Sequence, residues 1–584
     1  LFASKESKPT TDGMDLRRWK TVGLALYLFV LGVFLIGSPG RIDIIDGQYR
    51  FEVSKNILNM SGADLKDYYL IQGGIPVNAK TGRSYSFYTS VPSLVPLPFM
   101  FVSRIVSGPR IAADRGAFVL SNAFMGALIA PLLLGFYRRL GVPLRRAVFW
   151  TLGFCLATHW WPGSETVFDQ CQHGVCLLAL LLVSFDTVVT RRISLALGAG
   201  LLGGILFNYR TPFVTLLPIV PVYWWFVLKA EGVSVADRRA MVLKMGALFG
   251  VGIGVGLAGY LFYNYIRFDS ISMPAYSNPQ SIVGNPISGI PTILISPGKG
   301  GFWFSPPIIL SLFGLKFFPS SFRTLKLAII ALVCLHVFEM SCLSFVAGDW
   351  CWGPRYLLPI LPLMGLALPF IPFRIRSLPV VALLSIGILV QLMGISTETY
   401  RFFYNQQFNP FFWQDQWVYF RVSQLASRPG EIIESIRTRD VQRPLIICNP
   451  PGEATYAPFD AARDANKKRK PKRPNLKHKG PTPTGWANLL QMADAKYQEN
   501  VKKTTDQDIR PREFQKRFKL FYLPRPWWGW INAVPPEQRP FDPRLIGTFS
   551  LLVCALGSGM LLFLLRQIKS TTKNSKENSD LNGD

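Results

Sequence analysis

The sequence predicts an all-α polytopic membrane protein, and three observations carry that prediction. The chain of 584 residues is 49% hydrophobic and only 17% charged, too apolar for a soluble enzyme of this length. Its apolar residues gather into a series of uncharged runs, long enough to cross about 30 Å of hydrocarbon. Its cations, which give a net charge of +28, fall where membrane topology places them rather than in one basic patch.

Spans are predicted near 20–38, 115–136, 147–162, 172–190, 193–208, 213–228, 245–266, 302–315, 327–346, 356–373, 378–396 and 545–565. The first holds Thr21 to Ile36, a run without a charge, and the set comes to about twelve. That arrangement gathers Arg17, Arg18, Arg138, Arg139, Arg145, Arg146, Arg191, Arg192, Lys229, Arg238, Arg374 and Arg566 on one side, the cytoplasmic one by the positive-inside rule. Counting Val91 to Val106 as a span would move Arg138, Arg139, Arg145 and Arg146 outside, and Pro92, Pro96 and Pro98 crowd its start. It is read as an interfacial or re-entrant helix, with a thirteenth span as the alternative. Arg17-Arg18, the apolar run and Gly37-Ser38-Pro39-Gly40 imitate a signal peptide, but the run is long and further spans follow, so a retained helix is expected.

The organisation that follows is a cytoplasmic N-terminus (1–19), a multi-span domain (20–396) with a large first outer loop (39–114), an extracytoplasmic domain (397–544), a last helix (545–565) and a cytoplasmic tail (566–584). The extracytoplasmic domain opens on Phe402, Phe403, Tyr404, Trp413 and Trp417 and closes on Trp527, Trp528 and Trp530, aromatic margins suited to the headgroup layer. Between them lie a basic, proline-bearing stretch, Lys467 to Pro474, and a short amphipathic helix from Trp486 to Lys502. The basic stretch is read as a solvated linker, with attraction to anionic lipid or an acidic polymer as the alternative. Nucleic-acid binding ranks last, because most cations have a topological reason. Six of the eight cysteines lie within or beside spans, leaving Cys351 and Cys448 outside, a pattern that suggests neither a disulfide framework nor a zinc site.

Few ionisable residues remain for chemistry on the outer side. Asp46, in Asp46-Gly47-Gln48-Tyr49-Arg50-Phe51-Glu52 just after the first span, is a candidate general base; an exposed Asp-Gly turn is the plain alternative. Arg355, in Trp352-Gly353-Pro354-Arg355-Tyr356, can hold a phosphate through paired hydrogen bonds, or anchor a helix end at the headgroups. Lys299 lies on a glycine-rich turn, Ser296-Pro297-Gly298-Lys299-Gly300-Gly301, where backbone N–H groups can wrap phosphate oxygens, a weak signal without nucleotide-loop spacing. Glu165, Asp169 and His173 recur at spacings of four, so one helix face can present them to a divalent cation, or they are helix-start acids beside a hydrogen-bonded histidine. No cofactor motif is present, and the metal, if any, is unknown from this pattern. His336 and Glu339 lie within a span, as a functional ionisable pair or a structural hydrogen-bonded one.

In their order, these motifs resemble the GT-C glycosyltransferases that use polyprenyl-phosphate sugars, the protein mannosyltransferase-like and aminoarabinose transferase-like group. The resemblance covers about Asp46 to Leu366: the acidic motif at Asp46, the segment Tyr85-Ser86-Phe87-Tyr88-Thr89-Ser90-Val91-Pro92, the acid and histidine Asp169 and His173, and the loops at Lys299 and Arg355. It implies a GT-C-like bundle and transfer of a sugar from a polyprenyl-phosphate donor to an extracytoplasmic glycan, lipid or protein, with inversion. The lipid phosphate is already a good leaving group, so the demands are to deprotonate the acceptor and to stabilise the departing phosphate. The resemblance gives the first role to Asp46 and the second to Arg355 and Lys299, with Arg210 and Arg267 in reserve. Glu52, Tyr85, Tyr88, Asp169, His173 and Tyr356 are expected to support the site or the acceptor. An external site and few cysteines suit a bacterial inner membrane with the site on the periplasmic face, with an endoplasmic reticulum protein as the alternative. The sequence departs from the family pattern where paired acids are adjacent, since Gly47 follows Asp46 and the next acid is Glu52. The competing reading is a lipid or solute transporter, which would show internal symmetry and ionisable residues near mid-membrane.

Overall fold

The computed structural model describes residues 12–42, 44–65, 78, 80–271, 283–348, 351–397, 402, 420, 422–438, 526–530 and 539–581. The expectations for the Lys467–Pro474 stretch, the Trp486–Lys502 helix and most of the aromatic margin after Phe402 fall outside these residues.

The protein is an all-α membrane protein. Among the described residues eight helical segments are long and apolar enough to cross a bilayer: Leu16–Gly37, Ile111–Arg139, Gln170–Thr190, Thr211–Ala230, Val235–Phe268, Ser320–Ser341, Leu378–Ser396 and Pro543–Arg566. The elements used below are α1 (Asp12–Gly37), α2 (Ile45–Leu58), α3 (Leu97–Ser107), α4 (Ile111–Ala127), α5 (Ile129–Arg139), α6 (Leu144–Ala157), α7 (Gln170–Thr190), α8 (Leu195–Tyr209), α9 (Ile219–Ala230), α10 (Val235–Phe268), α11 (Ile308–Lys316), α12 (Arg323–Ser341), α13 (Leu378–Ser396), α14 (Gln424–Thr438) and α15 (Pro543–Leu581). Among the described residues β pairing is limited to isolated bridges, Asp64 with Tyr85 and Val283 with Leu343.

The other four predicted spans are built differently, and proline explains two of them. The 302–315 run breaks at Ser305-Pro306-Pro307 into Gly301–Phe304 and α11. The 356–373 run becomes short turns, Arg355–Ile360, Leu361–Gly365 and Leu368–Phe370, with Pro359, Pro362 and Pro369 inside it. Broken backbone at membrane depth is tolerated only where protein covers it and side chains take over its carbonyls. Both conditions hold: the segment is almost wholly buried, Tyr137 Oη donates to Gly365 O at 2.7 Å, and Arg146 Nη2 donates to Ile371 O at 2.8 Å. Gln391 Nε2 likewise donates to Phe304 O at 2.9 Å. The 147–162 run ends its helix at Ala157 and resumes as Trp160–Ser164, and the 193–208 run is the 15-residue α8.

Helices without a hydrophobic driving force between them associate through small residues and close backbone approach. α8 and α10 do so along Gly200, Gly204, Gly252 and Gly256; a Cβ on Gly256 would lie 2.4 Å from the Gly204 Cα. Asn208 Nδ2 crosses the same seam to Gly256 O at 2.6 Å. α1 packs on α15, where a Cβ on Gly32 would meet Cys554 and one on Gly557 would meet the Phe29 backbone. At the opposite end from the site, Arg139 on α5 holds Asp186 on α7 with Nε–Oδ1 at 2.6 Å and Nη2–Oδ2 at 2.5 Å. The segment expected to be interfacial folds as Val91–Leu94 followed by α3, with Phe101, Val102, Ile105 and Val106 exposed along it.

Candidate active site

α1 ends at Gly37, the chain turns through Gly40 at φ +63, and α2 starts at Ile45. This puts Asp46 in the first turn of α2, where the helix dipole favours a carboxylate. Arg50 follows one turn later on the same face, its Nε donating to Asp46 O at 3.1 Å. A second acid arrives from the short loop ahead of α7: Asp169 Oδ2 lies 3.4 Å from Arg50 Nη1 and 3.3 Å from His173 Nε2, with all three side chains buried. Burial pushes the Asp169 carboxyl up, but Arg50 and His173 outweigh it and hold the group well below the ordinary carboxylate range.

The third contribution comes from the loop ahead of the broken segment. Pro354 leads into the Arg355–Ile360 turn, and Arg355 Nη1 donates to Asp46 Oδ2 at 3.2 Å. Its guanidinium lies 4.2 Å from the Phe168 ring centroid and 5.2 Å from that of Tyr356. Nη2 reaches Tyr356 Oη at 3.4 Å, while Nε is buried with no hydrogen-bond partner among the described residues. Arg210, just past α8, places its guanidinium 5.6 Å from the same Tyr356 ring, and Tyr88 lies under Arg50 at 5.1 Å. His336 on α12 fixes the turn from behind: Nε2 bonds Tyr356 O at 2.8 Å, and the ring stacks on Phe213 at 5.5 Å. Glu339 is not its partner; that carboxylate takes a hydrogen bond from Thr215.

The structure therefore brings together Asp46, Tyr88, Asp169, His173, Arg210, Arg355 and Tyr356 at one end of the bundle. It places the other sequence candidates around them. Lys299 is fully buried, with Nζ donating to Cys351 O at 2.6 Å and Gly353 O at 3.1 Å. Arg267 is likewise buried, donating to Ser86 O at 2.6 Å, Tyr88 O at 3.0 Å and Asn264 Oδ1 at 2.6 Å. Glu52 accepts from Gln48 Nε2 at 2.9 Å and pairs with Lys55 on its own helix. Tyr85 stacks edge-on against Phe268 at 5.7 Å. Glu165 accepts from Trp161 Nε1 at 2.6 Å, and among the described residues no three His, Cys, Asp or Glu side chains converge to hold a metal.

Arg50 and Phe168 are the members that sequence reasoning did not assign. The spacing of Asp46 and Arg50, one helical turn on a segment short enough to be a single outer helix, is the signal that would have found Arg50. With Arg50, Arg210 and Arg355 facing Asp46 and Asp169, the cluster carries more cationic than anionic groups, an arrangement that suits an anion.

No family model and no curated protein matches the chain. Among solved structures, the crystal structure of ArnT from Cupriavidus metallidurans bound to undecaprenyl phosphate is similar to this chain at 13% identity, with a TM-score of 0.40, over 76% of this chain and 82% of that one.

Proposed function

We propose that this protein is a membrane glycosyltransferase that moves a sugar from a polyprenyl-phosphate donor to an acceptor hydroxyl or amine outside the cytoplasm. The observation that carries the reading is the Asp46–Arg355 contact at 3.2 Å, which joins the two motifs that the family resemblance had singled out for base and phosphate ligand. The acids divide the work by their surroundings. Asp169 is buried and held by Arg50 and His173, a structural anion. Asp46 keeps a fifth of its side chain exposed and touches Arg355 through one oxygen, so it can reach an acceptor.

In this reading the donor phosphate takes Arg355, whose planar fork suits two phosphate oxygens, with Arg210 across the Tyr356 ring as second cation. Drawing Arg355 onto phosphate loosens its hold on Asp46, which then accepts the proton from the acceptor as the new glycosidic bond forms and the C–O bond to phosphate breaks. The electron pair leaves with the phosphate, which the guanidiniums stabilise as charge grows on it. Attack opposite the leaving group inverts the anomeric centre. Lys299 and Arg267 serve here by holding the loops that carry Arg355 and Tyr88.

The test is transfer of labelled sugar from a panel of polyprenyl-phosphate sugars by purified protein offered a broad acceptor mixture. Turnover that falls by about a hundredfold or more in Asp46→Asn supports the reading. Intact turnover in that variant removes Asp46 as base, and silence of folded wild-type protein with every donor turns the assignment toward lipid transport.

A further inference from the structure

Described residues between the last two spans contact the loop that leads into Arg355 and the end of α1 that precedes Asp46. Gln424, at the start of α14, is almost fully buried. Its amide is used twice on the loop leading into Arg355: Gly353 N donates to Oε1 at 3.2 Å, and Nε2 donates to Cys351 O at 3.1 Å. Only an amide does both, since a carboxylate has no donor and an alkyl chain has neither. One turn further along α14, Arg428 sits 5.0 Å from the Trp352 ring centroid, and Ser423 Oγ donates to Pro297 O at 2.7 Å, which ties the Lys299 turn to the same helix.

The far end of the region holds the other partner. The last carbonyls of a helix have no acceptor role left within it and need outside donors. For α1 those donors come from Trp527 and Trp528: the Trp527 indole donates to Leu35 O at 3.0 Å, its backbone N to Ser38 O at 2.9 Å, and the Trp528 indole to Ile36 O at 3.1 Å. Gly40, with φ +63, lies against Trp527 and Phe541, where a Cβ would come within 2.8 Å of the Phe541 ring. This capped turn precedes α2, whose first turn carries Asp46.

We infer that Gln424 and the Trp527–Trp528 pair are positioning residues, one setting Arg355 and the other setting Asp46, so that the region between the last two spans forms part of the frame of the site. Neither needs to touch a substrate. A displacement of about 1 Å at a catalytic group is enough to cost roughly a hundredfold in rate, and each clamp is made of hydrogen bonds to main chain that tolerate no such shift. The catalytic half of this inference rests on the proposed transfer reaction; the clamping half does not.

Two measurements on the full-length protein separate them. Hydrogen exchange followed by mass spectrometry reads the loops without any substrate. Gln424→Ala is expected to speed exchange in the Cys351–Leu358 peptide by roughly tenfold or more while leaving the α2 peptide alone, with Gln424→Glu, which keeps one of the two bonds, between it and wild type. Trp528→Phe, which keeps the ring and removes one donor, is expected to loosen the end of α1 and not the Arg355 loop. In the transfer assay Gln424→Ala is expected to lower kcat roughly a hundredfold with donor KM shifted far less. Exchange in both variants that matches wild type overturns the clamp. Faster exchange with unchanged kcat reduces both clamps to structural contacts and overturns their positioning role. If Gln424→Ala does not fold, Gln424→Glu and Trp528→Phe decide by the same two readouts. Wild-type protein that transfers nothing removes the reaction, and the exchange pattern still decides the clamp.

Discussion

Asp46 and Asp169 each sit beside an arginine, and replacing each by its amide should give opposite signatures. Asp169→Asn leaves Arg50 buried without its counter-charge, a change expected to cost about 3–5 kcal/mol and to appear as a large drop in thermal midpoint in detergent. Asp46→Asn removes a partner that keeps a fifth of its side chain exposed, so it should lower the midpoint less than Asp169→Asn and cut transfer by about a hundredfold or more. The Asp169 contribution also has a sign in pH. Its folded-state pKa lies below the ordinary 3.8, so the stability it adds is complete above that value and is lost only as pH falls through the lower folded one. Melting curves from pH 5 to 8 should therefore show no loss assignable to this pair. At this scale the sequence made single residues visible and left their meetings hidden. Arg355 stood out as a cation kept outside against the charge bias and Asp46 as an acid just after the first span, but they are 309 residues apart, and nothing in either motif points to the other. Gln424 carries no charge and no motif, so only its two hydrogen bonds reveal it.

The helices were legible wherever an apolar run was free of proline, because length and lack of charge are the physical requirements for a span. The breaks were less legible, since Pro306-Pro307 and the Pro354–Pro369 series look like tolerable interruptions until their carbonyls are seen to be taken by Gln391, Tyr137 and Arg146. The glycines of α10 separate packing from composition within one helix. A Cβ at Gly256 would collide with the Gly204 backbone, whereas one at Gly259 meets nothing within 4 Å. Gly256→Leu is expected to push α8 from α10 and destabilise by about 1–3 kcal/mol or more. Gly259→Leu should be neutral or slightly stabilising, since it only improves helix propensity. Fluorescence-detected size exclusion after graded heating checks both, and equal loss from the two variants would mean that the seam does not depend on close approach.

At the scale of the whole molecule, the site residues all sit at one set of helix ends, and charge supplies the orientation. α7 runs from Asp169 at the site to Arg191-Arg192 at its far end, α8 returns to Tyr209 and Arg210, and α10 returns again to Arg267 from a start beside Arg238-Arg239. The cation-rich ends thus alternate with the site ends along the chain, a pattern that under the positive-inside rule supports the proposed orientation with the cluster outside the cytoplasm. Two positions on opposite sides make this measurable: Lys80, exposed near the site end, and Glu231, partly exposed in the turn between α9 and α10. In a version cleared of native cysteines, Lys80→Cys in intact cells should react with a membrane-impermeant maleimide, and Glu231→Cys should react only after the membrane is opened. An orientation with the opposite labelling would leave the cluster facing the cytoplasm, and a sugar acceptor outside the cell membrane could no longer be its substrate.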